Sequence, residues 1–178
     1  SKWRYWDSGK LPDARWREID YDDTQWPYGP AKLGFGDGDE ETVTQGGQSD
    51  PGHITTWFRR KFTIEDTSLY RNLWLRLQAD DGAAVYLNGQ EIHRLRLPAG
   101  TVLNPDTLAD PAVDGVTEDT FYPADVSEFI TLLRPGDNVV AVEVHQGSLD
   151  EQDLGFDLAL CANLGTPRFA PAVSFVKP

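Results

Sequence analysis

The chain has 178 residues, 39% hydrophobic and 11% aromatic, which is enough to bury one core and short for two. Its formal charge of −13, with an isoelectric point near 4.5, repels phosphate backbones and anionic lipid headgroups, so nucleic acid and membrane surfaces are poor partners. A lone cysteine, Cys161, excludes an internal disulfide framework and a Cys-rich zinc site, and no apolar run reaches the roughly 20 residues that span a bilayer.

Helical periodicity is scarce, and the strongest segments alternate with period two between turn residues, the signature of an all-β chain. Residues Trp3 to Gln48 open the chain with little regular pattern, yet hold four of its six tryptophans: Trp3, Trp6, Trp16 and Trp26. Such rings either pack under a sheet or lie open to the apolar face of a sugar. Phe35 sits within the Gly34 to Gly38 loop, where glycine lets a ligand approach the backbone, and is a further platform candidate.

Thr56 to Ile64 reads as a strand of aromatic and β-branched residues. In Leu73 to Ala79 the apolar residues fall on alternate positions, so one face is core. The strand Ala83 to Leu87 meets Asn88-Gly89, which suits a type I′ turn, and Gln90 to Leu95 returns antiparallel. After an irregular stretch from Pro98 to Asp125, Phe129 to Leu133 is predicted as a strand that turns at residues 135–138 into Val139 to His145. The loop Gln146 to Asp153 precedes a last strand, Leu154 to Ala162. These elements predict an antiparallel β-sandwich over residues 1–164, with Gly165 to Pro178 as a proline-bearing linker. The chain opens at Ser1 and has no methionine, the pattern expected of a portion of a longer protein.

Several polar residues are candidates for ligand contact. Asp80 and Asp81 lie between two strands, where they either shape the turn or present a carboxylate to sugar hydroxyls or calcium. Arg59 and Arg60 point to opposite faces, and Asp80 or Asp81 is the expected partner of one of them. Glu143 and His145 share a face beside the acidic loop of Asp150, Glu151 and Asp153, and His145 is expected to fix the following loop. No G-x-S-x-G, H-x-H or H-E-x-x-H spacing occurs, and 29 acidic residues supply carboxylate pairs at any separation by chance, so no catalysis is predicted.

Read in order, Asp23-Thr-Gln-Trp26, Leu33 to Gly38, Trp57-Phe-Arg-Arg60, Ala79 to Gly89, Gly136 to His145 and Asp153 to Asp157 resemble the galactose-binding-domain-like jelly rolls of large secreted bacterial proteins. The resemblance spans about residues 3 to 162. It implies a jelly roll, a secreted or cell-surface location, neighbouring domains in the same polypeptide, and carbohydrate as ligand or, alternatively, a bracing role with no soluble ligand. It also implies a structural calcium, for which no contiguous ligand motif is visible. On the matching segments the implied ligand-binding residues are Phe35, Asp37, Trp57 and Arg59, followed by Asp80, Asp81, His145 and Asp153.

Overall fold

The computed structural model describes residues 1–45, 52–113, 115–164 and 173–176. Two sheets face each other. The first, sheet A, has the order β2 (Tyr28–Pro30), β1 (Lys2–Trp6), β5 (Thr55–Ile64), β10 (Gly136–His145), β7 (Gly82–Leu87) and β8 (Gln90–Leu95). Sheet B runs β4 (Thr42–Val43), β3 (Leu33–Phe35), β11 (Leu154–Leu164), β6 (Tyr70–Ala79) and β9 (Tyr122–Asp125). A further strand, β12 (Val173–Val176), pairs with β11 through Leu160, Cys161 and Ala162. Pairing is antiparallel except between β3 and β4. The chain is thus a β-sandwich. Of the expected linker, residues 165–172 and 177–178 lie outside the described residues.

Alternation builds the space between the sheets. Leu73, Leu75 and Leu77 of β6 face Val140, Val142 and Val144 of β10 across a core that also takes Phe58 and Phe156, stacked at 4.2 Å. Trp3 meets Phe156 edge-on at 5.0 Å. At the β7–β8 turn both Asn88 and Gly89 adopt positive φ, as the sequence predicts.

Two readings change. Phe129 to Leu133 is not a strand: Ser127–Leu132 forms a 3-10 turn, begun by the Asp125 carboxylate accepting from the Ser127 amide at 2.9 Å. The Ser127 hydroxyl accepts from the Leu73 amide at 3.0 Å, and Phe129, Ile130 and Leu132 pack against the core from its end. Apolar residues at 129, 130, 132 and 133 suit a three-residue repeat as well as a strand, and β10 already has partners on both edges. The N-terminal stretch is also more regular than its sequence suggests, because it supplies β1 to β4, and β9 lies within the segment expected to be irregular.

The continuous burial of β7, from Gly82 to Leu87, has a separate cause. Trp57, Ala84, Tyr86 and Ala141 point out of sheet A on the side away from the core, and a second apolar cluster covers them. Trp16 and Trp26 come from the segment after β1, and Leu97 and Ala109 from the segment after β8. The irregular segments therefore wrap the outer face of sheet A.

The Gly34 to Gly38 loop uses glycine for packing. A Cβ on Gly34 would collide with the Leu154 carbonyl oxygen, and one on Gly36, at φ +107°, with the Gln152 carbonyl oxygen. Phe35 between them is buried in the core and offers no platform. We expect Gly36→Ala to cost about 2 kcal/mol or more in urea unfolding, from the unfavourable φ and the backbone collision together. An unchanged midpoint would contradict this packing role.

Candidate functional site

The chain crosses from sheet B to sheet A in two residues, Asp80 and Asp81. Arg96 holds the crossing by donating to the carbonyl oxygens of Asp81, at 2.7 Å, and of Ala79. The Asp81 carboxylate is consumed by structure: it accepts from the Val113 amide at 2.5 Å and from the Gly147 amide at 2.6 Å, tying two loops to the crossing. Glu151 also accepts from Gly147, at 2.8 Å. Burial and the adjoining Asp81 push the Glu151 carboxyl up to about 7.

Asp80 differs. Its residue is 3% exposed, its amide donates to the Gly155 carbonyl at 3.0 Å, and its carboxyl accepts no hydrogen bond among the described residues. The carboxylates that act on it are Asp81, Asp153, Glu118 and Asp37. Burial, reinforced by these four carboxylates, raises the Asp80 carboxyl to about 8. Asp153 is raised as well, by burial and then by Asp37.

Three carboxylates beside Asp80 converge: one oxygen each of Asp37, Glu118 and Asp153 lies within 4.8 Å of the others. Asp37, Asp39 and Glu40 form a second such group on the β3–β4 loop. Lys32 bridges part of the array, with Nζ at 3.0 Å from Asp37, 2.8 Å from Asp39 and 2.9 Å from Asp119. Burial alone would lower the Lys32 ammonium, but these three partners hold it well above the usual lysine value. An oxygen-only donor set with one carboxyl lacking a partner fits a hard divalent cation such as calcium, and offers nothing to a soft one.

Four candidates from the sequence thus meet at one end of the sandwich: Asp37, Asp80, Asp81 and Asp153. Trp57, Arg59 and His145 do not join them, because they lie on the outer face of sheet A beneath the wrap, each fully buried. Arg59 does not pair with Asp80 or Asp81. It donates through Nε to Asp23 at 2.9 Å, and to the carbonyl oxygens of Trp16 and Glu18. The reason is direction, since Arg59 points away from the core into the wrap. Through Nδ1, His145 donates to the Thr107 carbonyl at 2.7 Å and so fixes a loop, though the one after β8 instead of the one that follows it in sequence. Its Nε2 is 3.5 Å from Glu143, which also accepts from the Tyr86 hydroxyl at 2.5 Å. Burial raises the Glu143 carboxyl, but His145 and Tyr86 outweigh it and hold the group below its ordinary value. Nothing in this buried set is open to a ligand.

Sequence reasoning missed Glu118 and Lys32. Glu118 sits in a stretch without periodicity, and nothing along the chain links Lys32 to residue 119, so only the folded topology brings them to Asp80.

The sequence matches no family model and no curated protein. Solved structures do match the fold. A β-glucuronidase 2 of Bacteroides uniformis is 17% identical, with a TM-score of 0.56 over 91% of this chain and 17% of its own. A calcium binding mutant of that enzyme gives a TM-score of 0.53 over the same shares, again at 17% identity. An α-L-rhamnosidase of Aspergillus terreus, also 17% identical, gives 0.50 over 72% of this chain and 14% of its own. The chain therefore spans less than a fifth of these structures, and the likeness is one of fold.

Proposed function

We propose that this chain is a galactose-binding-domain-like accessory module of a secreted or cell-surface protein, non-catalytic itself, which binds neutral carbohydrate at its acidic end. Asp37, Glu118 and Asp153 hold a calcium ion in this reading, and Asp80 completes the site. The observation that carries it is the Asp80 carboxyl, which belongs to a residue 3% exposed and accepts no hydrogen bond among the described residues, beside three converging carboxylates. A buried carboxyl is stable in such surroundings only when protonated or when a cation joins it. Calcium would supply open coordination positions for vicinal hydroxyls, and the rim carboxylates would accept from others. The non-catalytic part is supported by the small share of each glycosidase chain that the domain matches.

A second reading, a brace against a neighbouring domain, draws on Trp74, which stands 41% exposed on the outer face of β6 near the Leu69 turn. Affinity electrophoresis on a panel of neutral polysaccharides, with calcium and with chelator, decides between them. The binding reading expects retardation that chelator removes and that Asp80→Asn weakens at least tenfold. Unretarded migration on every neutral matrix, with calcium present, would refute it in favour of the brace.

A further inference from the structure

A second feature lies on sheet A, away from the acidic end. A groove of about 650 Å³ runs along the outer edge where β2, β1 and β5 meet, within the size range of small-molecule sites. Lys2, Arg4, Arg60 and Lys61 line it, with the fully buried Arg59 behind them, against the one carboxylate of Asp23 among the lining residues. In a protein of net charge −13 this concentration is unusual.

The register makes it costly. Arg4 of β1 stands directly opposite Arg59 of β5, and Lys61 follows two residues on, so like charges face one another across adjacent strands. Asp23 is shared among all three: 2.9 Å from Arg59, 3.5 Å from Arg4 and 3.9 Å from Lys61. Exposed Asp22 is felt by Lys61 and Arg4, and exposed Asp20 by Lys61, but Asp20 is bound to Arg15 and Asp22 caps the Thr24 amide. Among the described residues Arg60 meets no carboxylate and its buried Nε has no hydrogen-bond partner. Tyr28, opposite Arg4 on β2, is 63% exposed, with Lys2 Nζ and the Arg4 guanidinium each 5.6 Å from its ring centre.

We infer that this groove binds an anionic saccharide, a sugar ring lying on Tyr28 while its carboxylate or sulfate meets Lys2, Arg4 and Lys61. The inference rests on the reading that the domain binds carbohydrate, and it assigns a second place and a charge class. An open aromatic ring suits the apolar face of a pyranose, and the flanking cations supply the charge-assisted hydrogen bonds that a neutral sugar does not use. The anion relieves the repulsion between facing cations, whereas the field of the whole protein opposes it, so binding weakens as salt screens the short-range attraction.

Affinity electrophoresis in calcium-free buffer tests this on four matrices: polygalacturonate, dextran sulfate, plain dextran and polyglutamate. We expect retardation on polygalacturonate, dextran sulfate or both, their contrast identifying the anion, and at least tenfold weaker binding in the Lys2→Glu/Lys61→Glu variant and in Tyr28→Ala. All three side chains are exposed, and Asp80→Asn is expected to leave this binding unchanged. Three outcomes overturn the inference: no retardation on either anionic polysaccharide, retardation that survives the groove variants, or equal retardation by polyglutamate. Loss on the anionic matrices, with calcium-dependent binding to a neutral matrix retained when calcium is restored, would sink the groove alone. Loss on every saccharide both with and without calcium would sink the carbohydrate reading with it.

Discussion

Asp23→Ala is expected to destabilise the protein by about 3–5 kcal/mol in chemical unfolding, the largest loss predicted for any single polar substitution here. Arg59 is fully buried, and burial lowers its guanidinium against the opposing effect of Asp23. Its remaining partners are carbonyl oxygens of Trp16 and Glu18 and the face of Tyr21 at 5.0 Å, none of which carries a compensating charge. Removing the carboxylate strands a cation under the wrap and leaves Arg4 and Lys61 facing it unscreened. Replacing both members, as in Asp23→Leu/Arg59→Met, is expected to recover much of the loss, because no buried charge then remains uncompensated. A loss under about 1 kcal/mol for Asp23→Ala would show that water reaches Arg59 and that the wrap is not closed.

Stability is expected to fall as the pH rises from 6.5 to 8 in calcium-free buffer. The folded Asp80 carboxyl keeps its proton up to about pH 8, whereas the unfolded chain releases it near its ordinary value of 3.8. Between those values the native state binds more protons than the unfolded state, so each pH unit removes about 1.4 kcal/mol per proton retained. Glu151, at about 7, acts with the same sign below that pH. Glu143, held below its ordinary value, acts with the opposite sign at pH lower than this window. His53 and His93, lowered by burial, oppose the trend below about their ordinary value of 6.5, and the Ser1 amino group does so below 8.0, so the difference between the parent and Asp80→Asn isolates the Asp80 part. Asp80→Asn is expected to flatten the profile and to exceed the parent in melting temperature at pH 8. A cation needs these carboxyls ionised, so calcium is expected to stabilise more at pH 8 than at 5.5, by about 2.7 kcal/mol at a hundredfold excess over its dissociation constant. A flat profile in the parent protein would remove the buried, protonated Asp80 from the description.

The sequence carried most of the central sheets, because β5, β6, β7, β10 and β11 are long and their alternation spans many residues. It was silent on β2, β3 and β4, which have two or three residues each and rest on neighbours distant in sequence. In β1 the inward Trp3 is followed by Arg4 and Trp6, half-buried on the other side, so the period is blurred by the second cluster. The same layering explains the site. Asp37, Asp80 and Asp153 stand at strand ends on one edge of the sandwich, where turn-like sequence marks them. Trp57, Arg59 and His145 sit on strand faces that look open until the segments after β1 and β8 are folded over them. No local signal tells which face of a strand will be covered by a remote loop.

The division of the indole rings has an optical consequence. Trp3 alone lies between the sheets and Trp74 alone is substantially open, while Trp16, Trp26 and Trp57, with Trp6 against them, belong to the layer outside sheet A. Most of the intrinsic emission therefore originates in the covering segments. A shift of that emission to longer wavelength records those segments lifting away, and circular dichroism, which reads the strands themselves, is needed to see whether the two sheets part at the same moment.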